Sequence, residues 1–168
     1  MVAEYNKVAA KAAFGPDRMK GYQYDILSPQ NTTSLPRGVL APFDVIVTSM
    51  ALHHVTNPGR LLCAFSELLK PGGVCVVIDM VPRSAFHEGN EERSESDIIE
   101  ALQPDQRAIF NTIGNHGFNE GDMRALYEGA GMWTGFEYVV FGEQFRFTMF
   151  GESFRSTGFI ARGLKSAV

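Results

Sequence analysis

The sequence predicts an α/β domain, and three observations carry that expectation. Two nearly continuous apolar runs rich in β-branched residues, Phe43 to Ser49 and Val74 to Met80, have the length of strands. Between them lies a segment with apolar residues at helical spacing, closed by Pro71-Gly72-Gly73. The chain has 168 residues, 45% apolar and 20% charged, which is globular rather than disordered or coiled-coil composition. A domain of about 150 residues buries roughly 70% of its unfolded surface, so a full core can form without metals or disulfides.

From the N-terminus, Val2, Tyr5, Val8, Ala9 and Ala12 recur at helical spacing among Glu4, Lys7 and Lys11. This predicts an amphipathic helix over residues 2–14, stopped by Gly15-Pro16. Residues 19–27, MKGYQYDIL, read as a short strand ending near Asp25, and the polar stretch from Ser28 to Arg37 reads as a loop. The run 43–49 suits a strand buried on both faces of a parallel sheet. Ala51 to Val55 form a turn, and Asn57-Pro58 is an N-cap followed by proline at the first helical position. That helix runs to about Leu69, with Leu61, Leu62, Phe65, Leu68 and Leu69 as its apolar stripe. Residues 74–80 form the second buried strand, so 43–80 is a βαβ unit with a right-handed crossover.

Further on, Glu88, Glu91, Glu92, Glu95 and Asp97 mark residues 82–97 as a solvated loop or helix start. Ile98 to Ile113 is helical in pattern, interrupted by Pro104. Asn119 to Ala130 is a clearer helix, with Asn119 as N-cap, Asp122 at the third helical position, and Gly129 and Gly131 closing it. Phe136 to Met149 and Phe154 to Ala161 read as an antiparallel pair joined around Phe150-Gly151-Glu152. Phe141, Phe145, Phe147 and Phe150 are expected in the core of that hairpin.

The formal charge of −4 supplies no field for a polyanion, which excludes nucleic acid as the primary partner. No run of about 18 apolar residues exists, so no membrane span is expected. The amphipathic N-terminus is not a secretory signal, which points to a cytoplasmic chain and an unglycosylated Asn31-Thr32-Thr33. Cys63 and Cys75 sit in apolar stretches and are expected as buried reduced thiols. No metal site is expected, because the histidines are too few and lack a completing carboxylate.

Three features together carry a family resemblance. The strand FDVIVTS runs into Ala51-Leu52-His53-His54-Val55; the helix ends in Leu68-Leu69-Lys70-Pro71-Gly72-Gly73; and a late Gly117-Phe118 precedes a helix closing at Gly129-Ala130-Gly131. In order and spacing they resemble the class I S-adenosylmethionine-dependent methyltransferases, nearest the small-molecule type 11 and type 12 branch. The resemblance implies a Rossmann-like sheet of strand order 3-2-1-4-5-7-6, with strand 7 antiparallel and the cofactor across the carboxyl ends of strands 1, 2 and 4. On that template residues 19–27 are strand 3, 43–49 strand 4, 74–80 strand 5, and the two late runs strands 6 and 7. Strands 1 and 2 have no counterpart, and the chain is expected as a single partial methyltransferase domain over residues 1–168. No glycine-rich loop follows a first strand; Gly15, Gly21 and Gly72-Gly73 do not supply one. The gap between strands 3 and 4 would be about 14 Å, three spacings of ~4.8 Å, with apolar unpaired edges. Three accounts fit: an N-terminally truncated piece of a longer enzyme, which is preferred, a truncated paralogue that re-pairs or forms a homodimer, or a partner chain that covers the open edge.

The resemblance implies S-adenosylmethionine as cofactor and a small-molecule methyl acceptor. It implies that Asp25 accepts the adenine amino group with Ile26 beside the ring, and that Ser49, Met50 and Ala51 line the cofactor. The competing structural role for Asp25 is a solvated acid entering a turn. His53 and His54 are candidate bases, because a histidine near pH 7 can take a proton from a hydroxyl or thiol nucleophile. Adjacent histidines point different ways, so at most one faces substrate; the alternative is one in the core and one capping the next helix. Arg83, His87, Glu88 and His116 lie in substrate-side segments but suit solvated surface roles, and Asp44 and Asp79 match structural positions. The expected function is methyl transfer to O, N or C of a small molecule. The alternative is a non-catalytic interaction module with the same fold. A nucleotide-binding oxidoreductase fits less well, since no tyrosine has a lysine four residues on.

Overall fold

A computed structural model describes residues 1–28, 30, 35–40, 42–82, 115–149 and 152–167. They group into two compact units, Met1–Ala41 and Pro42–Val168.

In the first unit, helix α1 spans Val2–Lys11. It ends three residues before the expected stop, at a turn in which Ala13 takes a φ of 60°. Residues 19–25 are not a strand. A strand needs a neighbour's backbone groups, and here those of Gly21 are taken by a side chain: Gly21 N–H donates to Asn6 Oδ1 at 2.7 Å, and Asn6 Nδ2 donates to Gly21 O at 3.2 Å. Strand 3 of the expected sheet is therefore replaced by a segment tied to α1.

The second unit holds a four-stranded sheet. Strand β1 is Phe43–Ser49, β2 is Leu69–Met80, β3 is Thr134–Met149 and β4 is Glu152–Leu164. Helix α2, Pro58–Leu68, connects β1 to β2, and helix α3, Glu120–Gly129, precedes the β3–β4 hairpin. The spatial order is β1-β2-β4-β3, with β1 and β2 parallel and β4 antiparallel to both its neighbours. This is the expected 4-5-7-6 order. The expected helix over 98–113 and the acidic stretch 88–97 lie outside the described residues.

Sequence explains the boundaries. Asn57 caps α2 by accepting the Arg60 N–H at 2.9 Å, with Pro58 at the first position. At its other end Lys165 Nζ donates to the carbonyls of Ser66 and Leu69, at 2.7 and 2.9 Å, which satisfies acceptors the helix leaves open. β2 starts at Leu69, earlier than expected. Gly73 allows this early pairing, since a Cβ there would stand 2.9 Å from Lys70 O and 3.1 Å from Phe43 O. Asn119 and Asp122 form a reciprocal capping box on α3, with both bonds at 2.9 Å.

The core lies between α2, α3 and the central strands. Leu52, Leu62, Cys75, Val77, Met123, Tyr127, Met132, Phe159 and Ala161 are all fully buried. The Tyr127 hydroxyl lies 3.2 Å from the carbonyls of both Cys75 and Ala161, bridging β2 and β4.

Three burial expectations are corrected. β1 is not buried on both faces: Val45 and Val47 are 53% and 57% exposed, because successive side chains alternate between a covered and an open face. Cys63 is exposed rather than buried. The helical turn of about 100° per residue carries it off the stripe formed by Leu61 and Leu62. Phe141 is exposed on the hairpin, its ring laid against Gly158, where an added Cβ would meet it at 2.7 Å. Phe145 is half-buried, while the side chains of Phe147 and Phe150 lie outside the described residues.

Candidate functional site

The carboxyl ends of β1 and β2 stand side by side, and the turn after β1 carries most of the candidate residues. Ser49, Met50 and Ala51 are exposed there. Met50 N–H donates to Ile78 O at 2.9 Å, which extends the ladder one residue past β1. Met50 itself has a φ of 50°, a left-handed conformation that costs a non-glycine residue on the order of 1 kcal/mol. Strain of this kind persists where surrounding bonds impose it and is enriched at functional turns.

Leu52–His54 form a single 3-10 turn. His53 is 5% exposed and makes two hydrogen bonds to one carboxylate. Its Nδ1 lies 2.7 Å from Asp79 Oδ1, and its backbone N–H donates to Asp79 Oδ2 at 3.2 Å. Asp79, near the end of β2, is fully buried, and its Oδ1 also accepts the Met80 N–H at 2.8 Å. His54 is exposed, with its ring centroid 4.1 Å from that of His53. The two histidines diverge as expected, and His53 takes the core place of the structural alternative, but α2 is capped by Asn57 and not by a histidine.

A second segment fastens this turn. Asn115 N–H donates to His53 O at 3.0 Å, and Asn115 Nδ2 donates to Val55 O at 3.0 Å. Two residues on, Gly117 takes a φ of 107°, and a Cβ there would stand 2.6 Å from the carbonyl of Val81. Only glycine allows this approach, which lets Phe118 N–H donate to Met80 O at 3.0 Å. Tyr138 Oη closes the arrangement by donating to Phe118 O at 2.9 Å, with its ring stacked on Phe159. Burial, with the charges of Asp122 and Glu120 behind it, pushes the Tyr138 phenol up to about 12, so it stays a donor at neutral pH.

Asp25 belongs to the first unit and stands at a turn rather than at a strand end. Its Oδ1 accepts the N–H groups of Leu27 and Ser28 at 3.0 and 3.1 Å. This is the side-chain-to-backbone turn that Asp favours. Ile26 beside it is half-buried. His116 is exposed, and Arg83, His87 and Glu88 lie outside the described residues. Asp44 is an exposed surface acid, paired to Lys70 Nζ at 2.7 Å and held below the usual carboxylate range by that ammonium. Among the described residues no group of three or more His, Cys, Asp or Glu side chains gathers.

Sequence reasoning missed Asn115 and the role of Asp79. Asp79 had a signal, an acidic residue near the end of a buried parallel strand, whereas an isolated asparagine in a loop had none.

Comparison with known proteins bears on this site. A model of a methyltransferase domain matches residues 4–132. The chain belongs to this methyltransferase domain family. An uncharacterized methyltransferase of Schizosaccharomyces pombe is 29% identical over 90 residues, 54% of this chain and 28% of the yeast protein. The ubiquinone biosynthesis O-methyltransferase of Caulobacter vibrioides is 47% identical over 36 residues, 21% of this chain and 14% of that enzyme. The chain thus spans less than a third of each of these relatives. Among solved structures, the YcgJ protein of Bacillus subtilis superposes with a TM-score of 0.60 at 12% identity, covering 99% of this chain and 78% of that one.

In this methyltransferase domain the exposed turn Ser49-Met50-Ala51 occupies the place where open α/β sheets bind their ligands, beyond the carboxyl end of a parallel strand. Among the described residues no helix is long and apolar enough to cross a membrane.

Proposed function

We propose that the protein takes part in methyl transfer from S-adenosylmethionine to a small molecule, with the turn after β1 lining the cofactor. The observation that carries this is the methyltransferase domain match over residues 4–132, a span that includes the exposed, strained Met50 turn beyond β1. When bound, S-adenosylmethionine would supply an electrophilic methyl carbon on a sulfonium, with a neutral thioether as its leaving group. The chain's part is alignment and deprotonation. Ser49, Met50 and Ala51 hold one side of the cofactor, and a histidine of the 53–54 pair receives the acceptor's proton. The O-methyltransferase among the relatives supports an oxygen acceptor, ahead of nitrogen or carbon.

A second reading, an interaction module without catalysis, draws on the exposed Val45 and Val47 of edge strand β1. Calorimetric titration of S-adenosylmethionine into the purified, folded chain separates the two. Saturable binding supports the methyltransferase reading. A folded chain that takes up no cofactor overturns it in favour of the module.

A further inference from the structure

The β3–β4 hairpin treats cross-strand charge in two different ways. Glu137 and Arg162 stand opposite each other in its register and are complementary. Arg162 Nε donates to Glu137 Oε2 at 2.9 Å, and Nη2 donates to Oε1 at 2.8 Å. Arg146 and Arg155 also stand opposite each other, but with the same charge. Residues so paired project to one face with Cβ atoms about 5 Å apart, and like charges there weaken the hairpin. Whatever else each guanidinium touches, its cross-strand neighbour repels it. The position of this pair is informative. β2 pairs with β4 as far as Met80 opposite Gly158, and Val81 N–H donates to Thr157 O at 3.0 Å. Arg155 therefore lies beyond the carboxyl end of β2, at the end of the sheet that carries the turn after β1. Phe159 stands opposite Asp79. Four residues from Phe159, alternation returns Arg155 to the sheet face that holds Asp79, about 13 Å further along β4 at ~3.3 Å per residue. Gln144 and Thr157, polar and uncharged, form the pair between. Arg146 is exposed and Arg155 half-buried.

From this placement we infer that Arg146 and Arg155 together bind an anionic group, a carboxylate or a phosphate, carried by the methyl acceptor. Both groups present several oxygens to the planar fork of a guanidinium, and each contact is a charge-assisted hydrogen bond. One anion between the two arginines turns a repulsive cross-strand pair into two attractive contacts. The inference rests on the methyl-transfer reading and narrows its acceptor to an acidic small molecule. That molecule is long enough to set its anionic group on the hairpin while its nucleophilic atom lies at the turn after β1.

Inorganic phosphate and acetate are the probes. Each is added at constant ionic strength to the 15N-labelled chain while the arginine Nε–H signals are followed. The expected result is a saturable shift of Arg146 and Arg155 with one of the two anions, and no shift of Arg155 in Arg146→Gln. A pair that neither anion moves overturns the inference, and so does a response of Arg155 that persists in the variant. Urea unfolding in buffer free of both anions gives a second readout. Arg146→Gln is expected to match or exceed the wild-type midpoint, because the repulsion is relieved; a clearly lower midpoint assigns Arg146 to the fold and overturns the site. S-adenosylmethionine is then titrated into the wild-type sample. Binding of both cofactor and anion supports an acidic acceptor. Cofactor binding without anion binding overturns the anion site and spares the methyl-transfer reading. Anion binding by a folded chain that takes up no cofactor overturns the methyl-transfer reading, and the acceptor assignment with it.

Discussion

At the scale of single residues, the site depends on positions with little freedom to change. Gly117 is the clearest: its φ of 107° excludes side chains, and a Cβ would press at 2.6 Å on rigid strand backbone. Gly117→Ala is expected to destabilise the chain by about 3 kcal/mol, from backbone strain plus overpacking. The effect would be read as a lower urea midpoint. A midpoint within experimental error of the wild type would show that the crossing over Val81 relaxes freely. The sequence marked Gly117-Phe118 as a feature but not its reason, because a close approach between segments 36 residues apart is invisible in local pattern. The histidine pair was legible as two residues pointing different ways, since neighbours in a turn diverge. Which one was buried depended on Asp79, 26 residues downstream.

At the scale of elements, legibility followed the locality of the cause. β1 was readable to the residue, because its apolar run ends where turn chemistry begins. The caps of α2 and α3 were readable too, because an N-cap bonds only two or three residues ahead. The strand expected over 19–27 failed for the opposite reason: its apolar pattern was adequate, but its partners were not. Asn6 takes the backbone of Gly21, and Asp25 turns the chain with its own carboxylate. The caps give a direct prediction. Asn57→Ala and Asn119→Ala should each cost about 1 kcal/mol in denaturant unfolding. Asn119→Ala should cost the more, since it also leaves Asp122 without its reciprocal partner. Equal losses would mean that the box adds nothing to the single cap.

At the scale of the whole molecule, the βαβ unit and the terminal hairpin were read from the residues, whereas the order β1-β2-β4-β3 was expected from the family resemblance alone. Side-chain burial followed from neither, because it depends on which faces other elements cover. The two cysteines show the difference and make it measurable. Cys63 is exposed and should react with an aromatic disulfide reagent at once, whereas Cys75 should react only as fast as the chain unfolds. A single fast phase of one thiol, abolished by Cys63→Ser, is the expected record. The same burial couples global stability to alkaline pH. Desolvation pushes the Cys75 thiol from its ordinary 9.0 up to about 11, and burial raises the Tyr127 phenol in the same direction. In the unfolded chain the thiol ionises near its ordinary value, so between these limits the folded state binds more protons. Stability is therefore full below about pH 9 and falls as pH rises toward 11, by on the order of 2 kcal/mol for the thiol alone. Cys75→Ala should flatten that part of the curve while lowering stability at pH 7 only modestly, because the two side chains differ little in volume. An alkaline slope unchanged in Cys75→Ala would place the loss with Tyr127, whose hydroxyl bridges β2 and β4; Tyr127→Phe would then remove the slope instead.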